Sequence, residues 1–103
     1  MTLEELKTRC INAGFKYAYG LFKKPTDPPH LIAICKESEN FMADNKVYKK
    51  DIPVQLDYTY LTKNIEMQNK IEDEILGDVA WNKSEEAYLS DEDVWQVSYF
   101  FRI

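Results

Sequence analysis

Apolar and polar positions along this chain change period several times, and each change predicts an element. Leu3, Leu6 and Cys10 recur at helical spacing, with Ile11 and Ala13 beside the stripe. Thr2 with Glu5 three residues later is a capping-box pattern, so a helix is predicted over about residues 2–13, ended by Asn12 to Gly14. Phe15 to Phe22 is rich in aromatics and reads as a strand, with Tyr17, Tyr19 and Leu21 on one face. Three prolines between Lys23 and Pro29 mark a turn or rigid loop. Leu31 to Cys35 reads as a second, well-buried strand, and the two strands are expected to form a hairpin. Ile52, Val54, Leu56, Tyr58 and Tyr60 then alternate with Gln55, Asp57 and Thr59, the mark of a half-buried strand. Ile65, Gln68, Ile71, Ile75 and Leu76 return to a helical stripe, which predicts a helix over about 63–76 with Gly77 at its C-terminal cap. Val79 to Leu89 is a strand with a polar middle, and Ser90 to Asp93 an acidic turn. Trp95, Val97, Tyr99, Phe101 and Ile103 alternate longest of all, so this last strand is expected inside the sheet.

The order α-β-β-β-α-β-β predicts an α+β fold: an antiparallel sheet of four or five strands with two helices packed on one face. At 103 residues the chain is expected to form a single domain over 1–103. Apolar residues at 45% and charged residues at 30% are ordinary for a folded protein. The longest unbroken apolar run, Leu31 to Cys35, is far short of the ~20 residues that span a bilayer, so no membrane partner is expected. Residues 1–10 lack the basic-then-apolar order of a secretion signal, which places the chain in the cytoplasm of its producer. A net charge of -5 argues against tight nucleic-acid binding, because phosphate contacts call for a basic surface. Cys10 and Cys35 read as reduced thiols in a helix and a strand, with a disulfide left open.

Side-chain chemistry points away from an enzyme. His30 follows two prolines and reads as a surface residue at a loop edge; Cys35, an odd number of positions further on, falls on the opposite strand face. Cys10, His30 and Cys35 lack the clustered spacing of a zinc site, and Asp91, Glu92 and Asp93 lack the spaced ligands and glycine of a calcium loop. No metal or cofactor is therefore expected. The carboxylate pairs Glu37–Glu39, Glu72–Glu74 and Glu85–Glu86 read as solvated faces in a chain with 18 acidic residues. Gly14, Gly20 and Gly77 form no phosphate-cradling loop, and Lys23-Lys24 and Lys49-Lys50 read as solubilising pairs beside loops.

Aromatics are abundant, at 14%. Phe100 and Leu61 sit on the strand faces opposite the main apolar rows. Two helices cover only one side of a sheet, so the other side is expected to meet another subunit. Residues 36–51 are polar and long for a connection. The stretch Glu37 to Asp51 is expected to be mobile in the free subunit and ordered on assembly. Phe41, Met42 and Tyr48 within it are candidate interface anchors. The alternative, that these three tuck back onto their own sheet, stays open.

The chain resembles the tail terminator, or tail completion, proteins that join tail to head in long-tailed phages and prophages of Gram-positive bacteria. The similarity rests on ordered segments along most of its length: TLEEL (Thr2 to Leu6), PPHLIAI (Pro28 to Ile34), NFMADNKVYKK (Asn40 to Lys50), VQLDYTYLTKN (Val54 to Asn64), WNKSEEAYL (Trp81 to Leu89) and VWQVSYFFRI (Val94 to Ile103). The resemblance implies a homo-oligomeric ring, typically hexameric, that caps the tail tube. It implies the tail tube protein and a head neck or connector protein as partners, and a path from host cytoplasm into the virion. It implies no catalytic residues. A small acidic phage-encoded binding module, such as an inhibitor of a host protein, is the alternative that composition leaves open.

Overall fold

The structure is a computed structural model describing residues 1–36, 39–43 and 46–103, with backbone alone for 39–43 and 46–51. Helix α1 runs Leu3–Asn12, and the Thr2 hydroxyl accepts the Glu5 N–H at 3.1 Å, as the capping pattern predicts. It ends with paired backbone bonds, Gly14 N–H to Ile11 O at 3.0 Å and Phe15 N–H to Cys10 O at 3.1 Å. That closure needs a left-handed residue, and Gly14 supplies it at φ 91°. It also drops Phe15 into the core beside Cys10.

Strands β1 (Lys16–Tyr19), β2 (His30–Cys35), β5 (Pro53–Tyr60) and β8 (Val94–Arg102) lie side by side in that order. Beyond β8 come β6 (Trp81–Lys83) and β7 (Ala87–Leu89), which pair with successive lengths of the same β8 edge. The predicted strand Val79 to Leu89 is thus split in two. Between its halves, residues 84–86 oppose only Val97 and Ser98, a bulge in which the Ser98 N–H bonds the Ser84 hydroxyl at 2.9 Å. As expected, β8 has neighbours on both sides.

Two expectations are corrected. The first two strands are parallel, with Tyr17 opposite Leu31, so they are no hairpin. Residues 20–29 carry the chain back along the sheet instead of turning tightly, and Phe22 in that segment packs edge-on against His30 at 5.0 Å. The segment 36–51, read as a connection without strands, holds β3 (Glu39–Ala43) and β4 (Lys46–Asp51), paired antiparallel in a sheet of their own. The Lys36 N–H bonds Pro53 O at 2.8 Å just before them, so the β2–β5 ladder leads directly into the β3–β4 pair. Local polarity hid these strands because their backbone groups are satisfied by each other, which needs no apolar alternation. The molecule measures 50 × 27 × 26 Å.

Helix α2 (Ile65–Lys70) continues as one π-helical turn, Ile71–Ile75. Asn64 caps it, accepting the Met67 N–H at 3.3 Å. The wide turn places Ile71, Ile75 and Leu76 in the core together. Ile65, predicted on that stripe, is 64% exposed. Leu6 and Cys10 of α1 and Ile71, Ile75 and Leu76 of the π-turn meet Leu31, Ala33, Val54, Leu56, Tyr58, Tyr60, Val97, Tyr99 and Phe101 in one core. Both helices therefore cover the same face of the sheet, and each fully buried side chain of this size contributes roughly 1.5–3 kcal/mol.

Candidate functional site

Strand alternation that buries one face exposes the other, and register places its residues in rows. Across β2, β5, β8 and β6, one row runs Ile34, Gln55, Phe100 and Asn82; the next runs Ile32, Asp57 and Ser98. No helix among the described residues covers this side. Its centre is polar and ordered: Asp57 accepts from Gln55 Nε2 at 2.8 Å and from the Ser98 hydroxyl at 2.6 Å. Its apolar groups lie towards the margins, Ile32 and Ile34 on one side and Phe100, 39% exposed, on the other.

At the end of this face where β3 and β4 leave the sheet, a groove of about 510 Å³ is lined by Lys36, Pro53, Trp81, Asn82, Phe100 and Arg102, among others. Phe100 belongs to the open face here, whereas Trp81 pairs with Phe101 and packs edge-on against buried Tyr99 on the helix side. The opposite end carries the acidic turn, where Asp93 has φ 54° and accepts the Tyr88 hydroxyl. Tyr88 and Trp95 pair beneath it at 5.3 Å. His30 lies towards this end, half-buried and not the free surface residue expected. Burial, then the charge of Lys16, lowers its pKa, and its Nδ1 has no hydrogen-bond partner.

The densest side-chain chemistry lies on the helix side. Lys63 pairs with Glu86 at 2.9 Å; Glu86 accepts from Gln68 Nε2 at 3.2 Å; Lys83 donates to Gln68 Oε1 at 2.7 Å and to Glu72 at 2.8 Å. The Tyr99 hydroxyl donates to the same Glu72 oxygen at 2.8 Å. Glu72 and Glu86 are therefore not the solvated carboxylates expected. The bulge explains Glu86: plain alternation from Lys83 would have turned Glu85 towards the helices, and one extra residue turns Glu86 there instead. Hydrogen bonding by Lys63 is the first cause that pulls the Glu86 carboxyl down to about 2. Burial works to raise Glu72, but the bonds from Lys83 and Tyr99 outweigh it and hold it below the usual range. The buried Tyr60 hydroxyl makes no hydrogen bond of ordinary geometry, although its influence reaches Glu86. This chain of charged and neutral polar groups ties the second helix to β6 and β8, which is a structural task.

Phe41 and Met42 fall on β3 and Tyr48 on β4, but their side chains lie outside the described residues. The sequence reading flagged Phe100 and missed its groove partners Lys36, Trp81 and Arg102, which meet only through sheet register. Both cysteines are free, and burial pushes the Cys10 thiol up to about 12. Among the described residues no three His, Cys, Asp or Glu side chains group to hold a metal ion, and no helix is long and apolar enough to cross a membrane. No family model matches the chain, and no curated protein matches it in sequence.

Proposed function

We propose that this chain is a structural assembly protein, not an enzyme, acting in phage tail completion and tail-to-head joining by associating with its own copies, the tail tube and a neck protein. The phage assignment comes from the ordered sequence resemblance. The observation that carries the assembly reading is the one-sided sheet: both helices cover one face, while the other holds exposed Phe100 at the edge of an open groove. Such a face, with an ordered polar centre and apolar margins, suits contact with another protein surface. The β3–β4 pair, a two-stranded sheet of its own, offers further backbone edge for the same purpose.

The experiment is electron microscopy of phage particles assembled without the gene. Separate full heads and tails, or overlong tails, are the expected result. Normal particles in normal number would overturn the assignment.

A further inference from the structure

We infer that His30 is an acid-sensitive latch, whose protonation releases the segment 20–29 from the open face of the sheet. Register puts Lys16 of β1, His30 of β2, Thr59 of β5 and Gln96 of β8 in one row. That row lies on the open face, because Thr59 stands two residues from Asp57. No described helix covers it, yet Thr59 is only 7% exposed. Segment 20–29 makes contacts on this side: Phe22 meets the His30 ring edge-on at 5.0 Å, and Lys16 Nζ donates to the Asp27 carbonyl.

The segment is a lightly held strap. Gly20, at φ 82°, turns the chain away from β1. At this root the Gly20 N–H bonds Ala33 O at 2.8 Å, and the Leu21 N–H bonds Tyr19 O at 3.0 Å. Leu21, Lys23, Lys24, Pro25, Asp27 and Pro29 are exposed, so little burial opposes lifting.

A neutral imidazole fits under the strap and a charged one does not. The buried Nδ1 finds no hydrogen-bond partner among the described residues. In the neutral ring with its proton on Nε2, that leaves one lone pair unused. Protonation would turn Nδ1 into a buried cationic donor without an acceptor, which costs far more. Lys16 beside it is a second cation. Thr59 and, beyond it, Gln96 are neutral, and Phe22 is apolar. The strap's own charged residues, two lysines (Lys23 and Lys24) and one aspartate (Asp27), sum to +1. Glu92 of the acidic turn favours the charged ring, but burial and Lys16 outweigh it. Lifting the strap returns the ring to water and to its ordinary value of 6.5. Closure is therefore complete above pH 6.5 and weakens as pH falls below it, because the open form binds more protons there.

His30 is the only histidine, so nuclear magnetic resonance reads its titration without overlap. The midpoint is expected below 6.5. Hydrogen exchange, corrected for the intrinsic pH dependence, is measured at the Gly20 and Leu21 amides from about pH 7 to about pH 5. Their protection should fall by roughly threefold or more, since each unit between the two pKa values is worth up to tenfold. Near-ultraviolet circular dichroism should stay unchanged, showing that the core remains packed. In His30→Gln the fall in protection should vanish. A midpoint at or above 6.5, or protection independent of pH in wild type, overturns the latch even where His30→Gln does not fold. The same fall in a folded His30→Gln protein, or a parallel loss of the near-ultraviolet signal, overturns it too.

Discussion

The two faces of the main sheet are made from the same strands and do opposite things. On the helix side, alternate residues of β2, β5 and β8 are wholly buried, and the polar groups that intrude are tied into the Lys63–Glu86–Gln68–Lys83–Glu72–Tyr99 chain. On the open side, the residues one step out of phase surround Asp57 with hydrogen bonds and leave Phe100 exposed. One face concentrates stability. The other is free to vary, because a change there removes little burial. Under the assembly role proposed above, that division would let a contact surface be tuned without unfolding the scaffold.

Substitution on the two faces of one strand puts this contrast to its hardest test. Val97→Asp places an unpaired charge in the closed core and should prevent folding. Phe100→Asp, three residues on and on the open face, should still give a cooperatively melting protein. Soluble, cooperatively melting Val97→Asp protein, seen by calorimetry, would break the comparison.

The seam that closes the helix side gives smaller effects. A Cβ on Gly77 would stand 2.3 Å from the Asp73 carbonyl oxygen, a backbone atom that cannot swing away. Gly77→Ala should therefore cost about 1–3 kcal/mol, seen as a melting point lowered by roughly 4–8 °C per kcal/mol. An unchanged melting point would show that the turn after α2 yields freely. Tyr99→Phe removes a donor to the Glu72 carboxylate and should cost about 1.5–3 kcal/mol, measured by urea unfolding. A matched loss of a hydroxyl on the open face, Ser98→Ala, should cost less, because water can replace it.

The smallest effect is in pH dependence. Glu86 has its carboxyl at about 2 in the fold against an ordinary value of 4.5, and Glu72 is also lowered. Depressed folded values mean that their contribution is complete above pH 4.5 and lost as pH falls from there towards 2. Glu86→Gln should therefore flatten the fall in melting temperature across that range while leaving the curve above it nearly parallel to wild type. An unaltered acid limb would remove Glu86 from the seam.

Much of this was legible in the chain itself. Leu6 and Cys10, the alternation of Val54 to Tyr60, and Val97, Tyr99 and Phe101 report their burial through period alone. The caps at Thr2 and the turn at Gly14 report helix ends through backbone chemistry that acts over three or four residues. The candidate groove was far less legible. Phe100 stood out as an apolar residue on the wrong phase, but Lys36, Trp81 and Arg102 come from three different strand ends, and no local pattern joins them.

Period and capping act between near neighbours, so the sequence by itself determined the helices, the longest strands, the buried rows and the α+β class. Strand partners are chosen between segments far apart in the chain, where pairing depends on the whole sheet. The tertiary structure alone therefore decided that β1 runs parallel to β2, that β3 and β4 pair with each other, and that a bulge turns Glu86 and not Glu85 towards the helices. It alone gathered Lys36, Phe100 and Arg102 around one groove at the end of the sheet, because only register brings residues so distant in the chain within reach of one another.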